Sequence, residues 1–395
     1  MTAHSGKSEL LSASFPWRGI PPMGDSTFRR DDRGRLYRRA PHFRTLLAKS
    51  YLTLVSVILC IVFAEFTLRT FVAVRMVGPV GSTYDPIYGK RLKRDYTCQR
   101  TSAEFTFQLS TNSWGFRGTE WPRPPEGAVL FLGDSFTMGY AVNDGEEYPE
   151  LARHEFDAHH GKGMVPVVNA GLANNGNGRW IKFLRRDARP IKPRLVILQL
   201  SENDFADNVN ERLFSLGKGA LKELPIPPQS HVSRLVSLIE DAPVLRSTHL
   251  MAVIRIASVK FFGGNLERRE LSEEDDQLTY GMLEEVLSIC DQREWPVLAI
   301  LVSSRDYRPD RLARVQQILH RYKVSVIHAP TKHERPELYW TEDPHWNAKG
   351  HDWVARAVVG KVTSDPRLRA AVDRPAVRIT QSHNTTAVAT AKFAM

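Results

Sequence analysis

Ala128-Val-Leu-Phe-Leu132-Gly133-Asp134-Ser135 is the stretch on which the reading of this chain turns. Five consecutive apolar residues without polar alternation are the mark of a short strand buried on both faces. Gly133 then permits a tight turn, and Ser135 stands at the start of the element that follows. A hydroxyl at a helix N-terminus has backbone N–H groups and the helix dipole aimed at it, which favours a developing oxyanion. The same position suits an ordinary N-cap, so these residues alone leave nucleophile and cap equally open.

Working outward, Val165–Val168, Leu195–Leu200, Val297–Val302 and Val324–Ile327 repeat the apolar-run pattern. Amphipathic stretches at about 146–160, 177–188, 274–293, 308–322 and 347–362 lie between and after them, the last beginning at the N-capping Asn347. Strand then helix, repeated, predicts an α/β fold with a five-stranded, doubly wound parallel sheet. In such sheets the active site lies beyond the C-terminal strand ends. Before the first strand, Phe105, Phe107 and Leu109 alternate with polar neighbours and predict a small hairpin within 82–120. An insertion over 207–270 holds Pro225, Pro227 and Pro228 and a helical pattern at 231–260, and is a candidate lid.

The residues after the other strand ends carry chemistry. Asn169-Ala-Gly171-Leu-Ala-Asn174-Asn175-Gly176 offers free backbone N–H groups, although taken alone it is an ordinary strand-to-helix loop. Ser201-Glu202-Asn203-Asp204 offers the Asn203 amide as an oxyanion donor, or simply turn-forming polar residues. Glu342-Asp343-Pro344-His345 supplies a base and a carboxylate to fix its tautomer, while His351 reads as a locally packed helix residue. A metal site on Asp343, His345 and His351 is disfavoured, since no cysteine or further histidine flanks them, and neither metal nor cofactor is expected. Together the blocks supply nucleophile, oxyanion donors, base and orienter, a complete acyl-transfer set. No glycine-rich phosphate loop of recognised spacing supports nucleotide binding.

The chain has 395 residues, 42% hydrophobic and 25% charged, enough for one large domain with appendages. Its net charge of +10 owes much to Arg29, Arg30, Arg33, Arg35, Arg38, Arg39, Arg44 and Lys49, a cluster directly before an apolar segment. That placement reads as a membrane topology signal rather than a nucleic-acid surface. Tyr51 to Ala64 is uncharged, and Glu65 and Arg69 can pair across one helical turn before apolar residues resume to Val74. The segment predicts one N-terminal transmembrane helix, with the N-terminus in the cytoplasm and the remainder extracytoplasmic, periplasmic in a Gram-negative envelope. Val62 and Ala64 would also suit a signal peptidase, which leaves cleavage open. Cys60, Cys98 and Cys290 have no metal or redox spacing and read as unpaired thiols, with a Cys98–Cys290 pair in an oxidising compartment as the alternative.

In the order and identity of these blocks the sequence resembles the SGNH (GDSL-like) hydrolase superfamily over about residues 126–362. Gly133-Asp134-Ser135, Asn203-Asp204 and Asp343/His345 carry the resemblance. Asn112-Ser-Trp-Gly-Phe-Arg117-Gly118 and His345-Trp-Asn-Ala-Lys-Gly-His351 are similar to the membrane-anchored bacterial branch, and the Asp-x-His-Trp arrangement to alginate O-acetyltransferase proteins. The resemblance implies a flavodoxin-like three-layer sandwich, no metal, and serine-dependent ester hydrolysis or O-acyl (acetyl) transfer. It implies Ser135, His345 and Asp343 as catalytic residues, with the Ser135 and Asn174 N–H groups and the Asn203 amide at the oxyanion. Two departures matter. The family's acid position is Glu342 here, so Glu342 is an alternative to Asp343. The family's oxyanion glycine is Asn174, so Gly171 and Gly176 are alternatives.

The expected organisation is a disordered, basic cytoplasmic tail at 1–47, a transmembrane helix at 48–74, and a small extracytoplasmic segment at 82–125. An SGNH-like domain follows at 126–363, then a disordered tail at 364–395. The expected partners are an acyl-ester or glycan substrate, the lipid bilayer, and a membrane acyl-donor protein, with no nucleic acid. A non-catalytic envelope assembly or glycan-binding protein on the same fold is the alternative.

Overall fold

A computed structural model describes residues 28–30, 32–34, 36–38, 43–72, 74–217, 219–240, 242, 245–262, 270–303 and 308–374. Two compact units divide between Ala64 and Glu65. The first holds a short antiparallel hairpin, β1 (Phe28–Arg30) with β2 (Leu36–Arg38), and most of the helix α1 (Phe43–Phe71). The expectation of disorder over 1–47 therefore does not hold for this hairpin, and residues 1–27 lie outside the described residues. Helix α1 is a candidate membrane span: Thr45–Phe71 covers 27 residues, and its apolar window has a mean hydropathy of 2.2 and no buried residue. At 1.5 Å per residue it reaches about 40 Å, more than a hydrocarbon core requires. It starts earlier than the predicted 48 because no proline or glycine interrupts the chain from Phe43 onward. Glu65 and Arg69 do pair across one turn, at 3.5 Å.

The second unit opens with two hairpins rather than the one predicted. β3 (Ser82–Asp85) pairs with β4 (Gly89–Leu92), and β5 (Thr97–Thr101) with β6 (Thr106–Ser110). Phe105, Phe107 and Leu109 turn inward and pack with Met76, Leu92, Cys98, Met138 and Leu172 in a small core of their own.

The sandwich then follows strand by strand. β7 (Val129–Leu132) leads to the one-turn helix α2 (Ser135–Met138) and to α3 (Tyr148–His160). β8 (Val167–Asn169) leads to α4 (Asn177–Arg185) and α5 (Ala188–Ile191), and β9 (Leu195–Ser201) to α6 (Asp204–Glu211). The insertion contributes the hairpin β10 (Phe214–Gly217) and β11 (Ala220–Glu223), then α7 (His231–Glu240) and α8 (His249–Phe262). The single helix predicted at 231–260 is thus two helices, and Pro243 stands in the sequence between them. α9 (Glu273–Gln292), β12 (Val297–Val302), α10 (Pro309–Arg321), β13 (Ser325–Ala329) and α11 (Ala348–Ser364) complete the layers. A final helix, α12 (Pro366–Val372), occupies the start of the tail expected to be disordered. Asp365 caps it and Leu368 and Val372 are buried, so apolar anchoring overrides the polar composition. Residues 375–395 lie outside the described residues.

The five central strands are parallel, in the order β13-β12-β9-β7-β8, which is the flavodoxin-like order 2-1-3-4-5 read backwards. Successive residues of each strand serve opposite cores. Leu130, Leu132, Val196, Leu198 and Leu301 pack toward α4 and α9; Val129, Phe131, Leu195, Ile197 and Ile300 pack toward α3 and α11. Burial on both faces is why the strands read as unbroken apolar runs. The strand order reverses between β7 and β9, and ligands of such sheets bind in the crevice beyond the strand ends at that point. Ser135 follows β7 and Asn203 follows β9.

Candidate active site

The turn after β7 is built around a fully buried Asp134. Its Oδ1 accepts the Phe136 N–H at 2.9 Å and so caps α2. Its Oδ2 accepts from Ser201 Oγ at 2.6 Å and from Asn203 Nδ2 at 3.0 Å, tying the end of β7 to the end of β9. A Cβ at Gly133 would sit 2.0 Å from Thr137 Oγ1, so only glycine lets α2 fold back this closely. The cap of α2 is Asp134, which leaves Ser135 free for another partner.

That partner is His345. Ser135 Oγ lies 2.7 Å from His345 Nε2, and His345 Nδ1 lies 2.5 Å from Asp343 Oδ1, which also accepts the His345 backbone N–H at 3.0 Å. The neutral tautomer consistent with this chain has the Nδ1–H donating to the carboxylate and Nε2 accepting from the serine hydroxyl. Phe136 and Tyr140 flank the imidazole, with ring centroids 4.8 and 4.6 Å away. Burial pushes the Asp343 carboxyl up, but the hydrogen bonds and charge of His345 outweigh it and hold it below the usual range.

Glu342 does not reach the histidine; it is exposed, and its backbone N–H donates to Glu104 Oε2 at 2.9 Å. The Asp343 N–H donates to the same oxygen at 2.9 Å, and Lys332 Nζ donates to the carbonyls of Thr341 and Asp343 at 2.7 and 3.3 Å. Glu104 and Lys332 thus grip the histidine loop by its N–H groups and its carbonyls respectively. Neither has a sequence signal, because each acts through backbone atoms of the loop, Glu104 from far away in the chain and Lys332 from just before it. His351 stands apart from the cluster: it is fully buried, and its Nδ1 accepts the Tyr148 N–H at 3.2 Å.

The candidate oxyanion groups fare differently. Gly171 donates its N–H to Asn169 Oδ1 at 3.1 Å, and a Cβ there would lie 2.3 Å from Met138 N. Gly171 is therefore a close-approach residue beneath α2. Gly176 donates to Glu211 Oε1 at 3.0 Å and packs on Asn208. Asn174 takes a positive φ of 50° and, of these three, is the one whose N–H has no acceptor among the described residues. Asn203 Nδ2 donates to Asp134 Oδ2 and, at 2.9 Å, to Asp207 Oδ2, so both amide hydrogens are engaged. Burial raises the Asp207 carboxyl to about 6 despite the Asn203 bond.

Arg117, from the Trp-Gly-Phe-Arg motif, is buried behind α2. It donates to the carbonyls of Met138 (3.1 Å), Gly139, Val142 (2.8 Å) and Gln108 (3.1 Å), and pairs with Asp144 and Glu147. It fixes the chain leaving α2, and with it Tyr140 beside the histidine.

Neither a protein-family model nor a curated protein sequence matches the chain. Among solved structures the chain is similar to the psychrotrophic esterase EstA from Pseudoalteromonas sp., at 12% identity and a TM-score of 0.37, over 60% of this chain and 98% of that one. It is similar to the acetyl xylan esterase AlAXEase at 14% identity and a TM-score of 0.37, over 60% and 99%. It is similar to a GDSL-like lipase from Bacteroides thetaiotaomicron at 11% identity and a TM-score of 0.33, over 64% and 93%. The parallel sandwich of this chain has the flavodoxin-like strand order that the SGNH resemblance of its motifs implies.

Proposed function

We propose that the chain is a serine-dependent ester hydrolase or O-acyltransferase. The reading rests on the hydrogen-bonded series Ser135 Oγ, His345 Nε2, His345 Nδ1, Asp343 Oδ1, at 2.7 and 2.5 Å, beyond the C-terminal ends of the parallel strands. In it, Ser135 Oγ attacks the ester carbonyl while His345 Nε2 takes its proton. Asp343 holds the tautomer and stabilises the imidazolium. The N–H groups of Ser135 and Asn174 receive the oxyanion, joined by the Asn203 amide when it exchanges Asp207 for that oxygen. His345 returns the proton to the leaving alkoxide, giving an acyl-Ser135. Water or a sugar hydroxyl, deprotonated in turn by His345, then takes the acyl group and regenerates the serine.

The acceptor side of the proposal is an extracytoplasmic glycan, in keeping with the motif similarity to alginate O-acetyltransferase proteins, and polysaccharide modification is the corresponding role. Helix α1 would hold the catalytic unit to the membrane, and the basic residues before it favour a cytoplasmic N-terminus. A membrane protein that supplies the acyl donor fits the transferase form.

The full chain should hydrolyse p-nitrophenyl acetate and take up a fluorophosphonate on Ser135. Ser135→Ala should lose turnover by about 10³-fold or more. Wild-type turnover in that variant sinks the assignment. Absence of both turnover and adduct in the folded parent chain favours the non-catalytic reading.

A further inference from the structure

We infer that Lys90 is a positioning residue for the oxyanion hole, holding from behind the peptide whose N–H faces the reacting oxygen. The inference rests on the serine-esterase reading above and assigns it a part contributed by the segment outside the sandwich.

Lys90 lies on β4, whose partner is β3, away from the parallel sheet. Its Nζ donates to the carbonyl of Ala173 at 2.6 Å and to that of Asn174 at 3.3 Å. In a trans peptide the carbonyl and the following N–H point in opposite directions. A cation seated on Ala173 O therefore turns the Asn174 N–H away from Lys90. Arg179 of α4 adds a second contact, Nη1 to Asn174 O at 3.4 Å, and is itself braced by Glu211 and by the Tyr88 carbonyl at 2.7 Å. Two successive carbonyls of the turn are thus drawn to one side by cations.

The other side of the turn abuts the serine. Leu172 N–H and Asn175 Nδ2 both donate to Gly133 O, at 3.2 and 3.1 Å, two residues before Ser135. The positive φ of Asn174 belongs to the same arrangement, and asparagine adopts it more readily than other side-chain-bearing residues but less freely than glycine. The motif reading expects glycine at this position, and the cations hold the more restricted asparagine turn in place from outside the loop. A cation on the Ala173 carbonyl also polarises that amide, which makes its N–H a stronger donor to a developing negative charge.

The charge on Lys90 can titrate within a working pH range. Burial first, and then the charge of Arg179, lower its pKa to about 8 against the opposing charges of Glu211 and Asp207 of α6. Above pH 8 the amine progressively loses its charge and, with it, part of its hold on the loop.

The test compares Lys90→Met and Lys90→Arg with the full-length parent chain in detergent, using p-nitrophenyl acetate and a fluorophosphonate. Lys90→Met should lower kcat by about 10- to 100-fold, less than outright loss of an oxyanion donor, with KM within about twofold. Its rate of phosphonylation should fall in parallel. Lys90→Arg should recover most of kcat and lack the loss of activity above pH 8 that the parent shows. Parent-like kcat in Lys90→Met overturns the inference, as does a change confined to KM, which would make Lys90 a substrate contact. Should thermal melting show Lys90→Met unfolded, Lys90→Arg decides: a parent-like alkaline limb in that variant overturns the inference. A parent chain with neither Ser135-dependent turnover nor adduct signals failure of the esterase reading itself, a separate outcome.

Discussion

The turn at Glu342–Trp346 and the first turns of α11 are neighbours in the chain, and each carries a histidine, yet the two regions are built on opposite principles. His345 is partly exposed, paired with a carboxylate on one nitrogen and a hydroxyl on the other. His351 is fully buried between Tyr148, stacked at 15°, and Trp346, edge-on at 88°, with no carboxylate on either ring nitrogen among the described residues. Burial, with lesser contributions from Arg117 and His345, lowers its pKa to about 3, so it stays neutral. In the proposed reaction the first histidine carries the proton, while the second fills space as an acceptor. The difference teaches that the partner, not the residue type or its place in the motif, sets the role.

The largest expected effect breaks the first region. Asp343→Asn keeps the shape but removes the charge and the tautomer lock, and should cost kcat about 10³- to 10⁴-fold in the ester assay. His351→Ala should barely alter kcat. It should instead lower unfolding free energy by about 2–4 kcal/mol in urea titrations, through a cavity and an orphaned Tyr148 N–H. Equal loss of activity in the two variants would erase the contrast.

A smaller effect is visible in pH. The His351 pKa is depressed from 6.5 to about 3, so between those values the unfolded chain binds a proton that the folded chain refuses. Stability should fall as pH drops from 6.5 toward 3, with a contribution from this ring approaching about 1.4 kcal/mol per pH unit. A His351→Gln variant should show a flatter acid limb, and an unchanged slope would place the acid sensitivity elsewhere. The smallest effect expected is for Glu342→Gln, whose carboxylate does not reach His345; kcat should stay within about twofold, and a loss like that of Asp343→Asn would reverse the assignment of the two acids.

Much of the fold was legible because its signals are local. Each buried strand announces itself as an apolar run, and Ser135, Asn203 and His345 follow such runs or precede a capped helix, as active-site residues of a parallel sheet do. The choice between Glu342 and Asp343 was not legible, since adjacent acids differ only in which side of the loop they face. The loop's direction is set by Glu104 and Lys332, which hold backbone atoms and leave no pattern in the sequence. Asn203 shows the same limit. Its position after β9 was readable, but the carboxylates of Asp134 and Asp207 that occupy its amide were not.

The sequence by itself determined the alternation of strands and helices, the apolar N-terminal helix, a serine at a strand end and a histidine with two acids before α11, because hydrophobic period and chain direction are written residue by residue. Only the tertiary structure decided that Asp343 rather than Glu342 meets the histidine, that Gly171 and Gly176 serve packing, and that Lys90 and Arg179 stand behind the Asn174 turn. Glu104 on the Glu342 and Asp343 N–H groups, Glu211 on the Gly176 N–H and Lys90 on the Ala173 carbonyl join segments far apart in the chain, and such bonds have geometry but no sequence period.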